Sequence, residues 1–158
     1  MTSATPPRTL SPDRTFAEQI VPGQELALGE YAITAGEIKA FGRAWDPLPL
    51  HVDESLAEGT AFGTLIASGI HTLSVYQRLS SLAVYSTWNV FAGRRLDDVR
   101  FLAPVFPGDI LSGSMVVDSV LLNHPGRALV SAHGWLDSPI GRVLELTTET
   151  YVNRAPLS

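Results

Sequence analysis

Asp46 and His51 stand five positions apart in the stretch Asp46-Pro47-Leu48-Pro49-Leu50-His51, where two prolines narrow the choices of the backbone. A carboxylate and an imidazole held near one another can fix a water between them and take a proton from it near neutral pH. The same residues admit a plainer reading. Asp before Pro is a frequent turn starter, and a histidine at an elbow is often only a satisfied hydrogen-bond donor. A second stretch, Phe62-Gly63-Thr64-Leu65-Ile66-Ala67-Ser68-Gly69-Ile70-His71, leads into an apolar segment. Unpaired N–H groups at a helix start, approached closely where glycine leaves room, stabilise an oxyanion. Close packing of strand on helix would ask for the same glycines.

These groups act together only if the chain positions them. Thr34 followed by Glu37 forms a capping-box pattern, and Ile38, Phe41 and Trp45 supply an apolar stripe, which predicts a helix running to Asp46-Pro47. Residues 46–51 then form a stiff, non-helical elbow. Asp53-Glu54-Ser55 open a brief helix that Gly59 closes. A longer helix begins near Ser68, and from Ile70 to about Tyr85 its apolar residues cover most of the circumference, which predicts packing on nearly all sides. Strand-sized segments are Glu25–Ile33, Trp88–Phe91, Val99–Ala103, Ile110–Leu122, Ala128–Leu136 and Arg142–Val152. In the last, Leu144, Leu146, Thr148, Thr150 and Val152 alternate with Glu145, Thr147 and Glu149. The order predicts an α+β fold with an antiparallel sheet curled round a long central helix.

The 158 residues are one domain's worth: residues 1–15, rich in Pro, Ser and Thr, read as a flexible tail and 16–158 as the domain. Apolar residues make up 45%, charged ones 17%, and mean hydropathy is +0.14, a globular and rather apolar profile. The net charge of −5 argues against a nucleic-acid binder, and the lack of cysteine removes disulfides, thiolate metal sites and cysteine nucleophiles. The first fifteen residues hold no apolar core of a signal peptide, so a cytoplasmic location is expected. Gly59 to Gln77 carries no Asp, Glu, Lys or Arg, yet its Gly, Ser, Thr, His and Gln suit a buried soluble segment rather than a membrane span.

Taken together, the two motif stretches resemble the MaoC-like (R)-specific enoyl-CoA hydratases, or hydratase 2, which have the hot-dog fold. That family carries Asp-x-Asn-Pro-x-His-x-Asp, a short Ala-containing helix, then Phe-Gly-x-x-Ile-Ala-His-Gly. Here Asp46, Pro49, His51, Asp53, Ala57, Phe62, Gly63, Ile66, Ala67 and Gly69 stand in those places. The turn Pro104-Val105-Phe106-Pro107-Gly108-Asp109 resembles the family's Pro-Val-x-x-Gly-Asp, and the likeness spans about residues 20–153. Leu48 replaces the family's Asn and Ser68 its His, departures that bear on loop geometry and substrate.

The resemblance implies that Asp46 is the general base, that His51 orients the water and shares proton transfer, and that the Gly69 amide holds the thioester carbonyl. Phe62, Gly63, Ala67 and Ser68 would line the substrate groove and Tyr76 would shape the acyl pocket, core packing being the alternative for Tyr76 and Leu79. Arg94, Arg95 and Arg100 could meet the phosphates of coenzyme A, or belong to a solvated strand end beside Asp97 and Asp98. His71 would face the acyl tunnel or be a partnered core histidine. His124 falls in a turn and His133 on a sheet face, so no metal site is expected. No cofactor is implied beyond coenzyme A carried by the substrate. A hot-dog thioesterase and a non-catalytic acyl-CoA-binding subunit are the competing functions. An exposed sheet edge and helix flank predict a homodimer or an oligomer of dimers, or a heteromer with a related hot-dog chain.

Overall fold

A computed structural model describes residues 13–157; the expected tail lies outside the described residues up to position 12. Thr15, the last residue of that expected tail, forms a bridge with Trp88. Strand β1 (Glu25–Ala32) is followed by helices α1 (Ala35–Trp45), α2 (Pro49–Val52), α3 (Glu54–Glu58) and α4 (Gly69–Ser80). Strands β2 (Val90–Phe101), β3 (Ile110–Leu121), β4 (Arg127–Ser138) and β5 (Gly141–Asn153) complete the chain. The five strands form one sheet in the order β1-β3-β4-β5-β2, and every neighbouring pair is antiparallel. The sheet and its central helix make the α+β hot-dog arrangement.

Local chemistry explains the helix boundaries. Thr34 accepts from the Glu37 N–H while Glu37 reaches back to the Thr34 N–H, so two otherwise orphaned donors open α1. Asp53 caps α3 through the Leu56 N–H, and Gly59 ends it. The expected non-helical elbow is corrected in part: residues 46–48 stay out of helix, but Pro49 begins α2. Proline lacks an N–H that the first helical position does not use, and it holds Leu48 extended at φ −73°, ψ 143°.

In β3, β4 and β5 every second residue is buried over most of the strand. Met115, Val117, Val130, Leu136, Leu144 and Leu146 from these strands meet Val75, Tyr76 and Leu79 of α4 in one core. Each such leucine contributes about 1.5–3 kcal/mol through burial.

Two expectations about the outer parts are overturned. The segments Trp88–Phe91 and Val99–Ala103 overlap the two ends of the single strand β2, whose middle, Ala92 to Asp98, shows no apolar alternation because it is an exposed edge with three register shifts against β5. The central helix is not packed on nearly all sides either. It passes into a π-helical segment at Ser81–Tyr85, and a flank including Ile70 (53% exposed), Ser74, Gln77 and Leu82 (55%) is open. Among the described residues, no helix is long and apolar enough to cross a membrane.

Candidate active site

Asp46 closes α1, its N–H bonded to the Gly42 carbonyl at 2.9 Å, and the α2 turn then presents His51. Gly42 makes this seating possible: a Cβ there would lie 2.7 Å from the His51 carbonyl oxygen and 3.0 Å from the His51 Cβ. A glycine within a helix costs about 1 kcal/mol relative to alanine, and here it allows close approach of α2 to α1. Residues 66 and 67 are clamped by two backbone bonds, Ile66 N–H to Leu50 at 3.0 Å and Ala67 N–H to Val105 at 2.9 Å.

The imidazole of His51 is buried, with Nδ1 2.8 Å from the Ile66 carbonyl oxygen. A carbonyl only accepts, so Nδ1 carries the proton, and in the neutral ring Nε2 offers its lone pair. Nε2 lies 3.5 Å from Asp46 Oδ2, whose side chain is 30% exposed. Ser68 Oγ donates to that same Oδ2 at 2.7 Å and accepts from the Ile70 N–H at 3.2 Å, so one hydroxyl both caps α4 and grips the carboxylate. Helix α4 starts at Gly69, whose N–H therefore belongs to the first-turn donors that have no helical acceptor.

His51, Gly69 and Thr72 border a cavity of about 430 Å³ whose walls are otherwise largely apolar, with Leu50, Phe62, Ile66, Ala67, Phe101 and Val143 among them. Phe101 packs so tightly on Gly69 that a Cβ there would come within 3.0 Å of its ring. Acceptor groups that can hold a water thus adjoin an apolar slot beside a helix start.

The structure brings some of the expected site residues together and leaves others apart. Asp46, His51 and Ser68 form one cluster, and Phe62, Ala67 and Gly69 share the cavity with His51. Gly63 follows Phe62 at φ +67°, in the left-handed region that favours glycine, and is not in the cavity wall. Tyr76 is in the core. Arg94 pairs with Glu149, Arg95 with Asp97 and Arg100 with Asp98, and Arg95 borders a different cavity, of about 370 Å³.

His71 stacks flat on Phe41 with centroids 4.6 Å apart, and its buried Nδ1 has no hydrogen-bond partner among the described residues; the expectation of a partnered core histidine is corrected to a stacked one. Burial holds its pKa below the ordinary histidine value, with Glu37 opposing. Asp53 caps α3, and its carboxylate is held below the usual range first by the Ser55 hydroxyl and then by the Leu56 N–H. Among the described residues no group of three His, Asp or Glu side chains is placed to hold a metal ion.

Gly42, the Ile66 carbonyl and the Ser68–Asp46 bond escape the sequence reading. Only Gly42 leaves a signal there, a glycine inside a helical stripe, which points to close backbone approach.

Fold and cluster define a hot-dog protein with a carboxylate, an imidazole and a hydroxyl gathered where the central helix begins. Residues 17–126 match the family described as MaoC like domain, and the chain belongs to that family. The uncharacterized protein YdeM of Bacillus subtilis (strain 168) is 30% identical over 105 residues, covering 66% of this chain and 72% of YdeM. Among solved structures, a monoamine oxidase regulatory protein from Archaeoglobus fulgidus superposes with TM-score 0.83 at 28% identity, over 90% of this chain and 97% of its own. A MaoC-like dehydratase from Rhodospirillum rubrum gives 0.77 at 28%, over 90% and 99%. The (R)-hydratase from A. caviae shares the fold, with TM-score 0.69 at 24% identity over 87% and 99%.

Proposed function

We propose that the protein is a hydro-lyase that adds water reversibly across the double bond of a trans-2-enoyl thioester. The observation that carries this reading is the approach of His51 Nε2 to within 3.5 Å of Asp46 Oδ2, beside an apolar cavity that Gly69 also borders. A water about 2.8–3.0 Å from both atoms donates one hydrogen to each, which leaves its lone pair for Cβ of the substrate. Asp46, held by Ser68, takes the proton as the C–O bond forms. The π electrons move to the thioester oxygen, where the Gly69 N–H and the start of α4 stabilise the enolate. A proton returned from the Asp46–His51 pair to Cα completes the addition with atoms and charge balanced. Hydration changes no net oxidation state, so the reading calls for no cofactor beyond the coenzyme A of the substrate.

The thioester carrier enters from outside the apolar slot. The arginines expected to meet its phosphates already hold carboxylates, which favours a weaker electrostatic contribution from them than from free cations. The protein acts as a dimer in this reading, because among the described residues β2 is an edge strand paired with β5 on one side, and it carries the exposed Phe91, Leu96 and Phe101.

The test is loss of enoyl-thioester absorbance with crotonyl-CoA and longer enoyl-CoAs. Turnover that falls about 10²–10⁴-fold in Asp46→Asn and in His51→Ala, with both variants folded, supports the mechanism. A folded wild type that hydrates none of them overturns it.

A further inference from the structure

Thr15 precedes the sheet, yet its backbone is fixed on both sides: its N–H donates to the Thr87 carbonyl at 2.8 Å, and its carbonyl accepts from the Asn89 N–H at 2.8 Å. This clamp, between the π-helical segment after α4 and the start of β2, sets the neighbouring Arg14 in the wall of a cavity of about 370 Å³. Among the described residues this cavity shares no wall residue with the one at His51. Gln77 and Ser81 border it from the helix, Leu96 from β2, and Thr148 and Thr150 from β5.

The two threonines take inward positions of β5, in alternation with Leu144, Leu146 and Val152, where an apolar side chain would extend the core. They are 5% and 7% exposed. A buried hydroxyl is costly unless it is bonded, and these are poorly served. Thr148 Oγ1 stands 3.4 Å from both the Tyr85 hydroxyl and the Ala132 carbonyl, against about 2.7–2.8 Å for an ordinary hydroxyl bond. The Thr150 hydroxyl has no hydrogen-bond partner among the described residues.

Arg14 is served no better. Its Nε is buried without a hydrogen-bond partner, and among the described residues no carboxylate pairs with its guanidinium. The other charges of the wall are matched, Arg95 by Asp97 at 2.8 Å and Glu149 by Arg94 at 2.5 Å, so one positive charge is left over. Ser81 accepts from the Gln77 amide at 3.0 Å and keeps its own hydrogen to give. The groups with capacity to spare are thus donors around a single cation, the complement of an anion. Glu149 opposes a second negative charge, while Val90 and Leu96 offer apolar surface to a carbon body.

We propose that this cavity binds a small organic monocarboxylate. The Arg14 guanidinium and the Thr150 hydroxyl hold its oxygens, and Val90 and Leu96 face its carbon chain. The site uses none of the groups around Asp46 and stands independently of the hydratase reading.

The experiment titrates butyrate, benzoate, butyramide and inorganic phosphate into the full chain at low salt, followed by calorimetry and by backbone amide NMR. Both carboxylates should bind saturably, with shifts centred on Arg14, Tyr85 and Thr150. Butyramide and phosphate should bind at least about tenfold more weakly, the worth of one charge-assisted hydrogen bond. Arg14→Gln should weaken the carboxylates by the same factor, and Thr150→Val, which removes the hydroxyl, by about three- to tenfold. His51→Ala should leave their affinity unchanged. Thermal melts establish that each variant is folded, and Arg14→Gln decides the matter if Thr150→Val is not. A folded wild type that binds neither carboxylate saturably overturns the site, as does equal affinity in Arg14→Gln. Phosphate as the tighter ligand overturns the carboxylate, and loss of binding in His51→Ala overturns the assignment to this cavity.

Discussion

Ser68 donates its hydroxyl hydrogen to Asp46 Oδ2 at 2.7 Å, joining the start of the central helix to the end of α1 across 22 positions of sequence. The oxygen that receives it is the one His51 approaches, so the serine holds the carboxylate where a water can be shared. In the proposed reaction Ser68 is therefore a positioning residue acting through Asp46, where the resemblance alone places it against the substrate.

Ser68→Ala should accordingly lower kcat about 10- to 100-fold, the worth of a hydrogen bond to a charged group. The same change removes the cap on the Ile70 N–H and should cost about 1 kcal/mol of stability. Ser68→Thr keeps the hydroxyl and should recover part of the rate. Steady-state kinetics and thermal melts separate the two effects; alanine and threonine variants with equal rates would show that the bond does not serve catalysis.

Gly42→Ala should damage activity from outside the cavity. The added methyl meets the His51 carbonyl at 2.7 Å, so α2 must move and the imidazole with it. Overpacking of this kind costs about 1–3 kcal/mol, and turnover should fall at least about tenfold. Denaturant unfolding gives the first quantity and enoyl-CoA hydration the second. Wild-type values in both would mean that α2 yields freely.

A charge on the free sheet edge should oppose self-association. Leu96 is half-exposed on β2, and Leu96→Lys places an ammonium midway along that edge strand, between the exposed Phe91 and Phe101. Sedimentation at micromolar concentration should show a dimer for wild type and a shift toward monomer for the variant. A wild-type monomer would remove the edge from consideration as an interface.

Stability should decline as pH falls below about 6.5, and His71 should cause part of the decline. Its folded pKa is lowered by burial, so the unfolded chain takes up a proton first and stability is lost on going below the ordinary histidine value. Glu37 is also shifted down, chiefly by its bond from Tyr31, but its contribution is lost only below the ordinary value of 4.5. His71→Phe preserves the stack on Phe41 and should flatten the change in Tm between about pH 6.5 and 5.5. A slope equal to wild type's would assign the acid sensitivity elsewhere.

Much of the fold is legible where one local rule is in control. Thr34 and Glu37 announce α1 because their side chains satisfy its first donors, and β5 announces itself because one face is buried and the other is not. The middle of β2 is illegible, since an edge strand has little burial to enforce alternation. Pro49 misleads because the residue that stiffens an elbow is also the preferred first residue of a helix. At the site, Asp46 and His51 stand out through residue type and spacing. The carbonyl that fixes the His51 tautomer belongs to Ile66, and a backbone atom has no signature in a sequence.

The seating of α2 on α1 at Gly42 bears on how this protein can change. Every hydrogen-bonding group of the cluster comes from residues 42–70, whereas the far walls of the cavity, Phe101 and Val143, come from the sheet. Variation in the sheet can therefore remodel the room offered to a substrate while residues 42–70 keep their shape. Laboratory evolution toward new acyl groups should accumulate its accepted changes in the strands and leave 42–70 almost untouched.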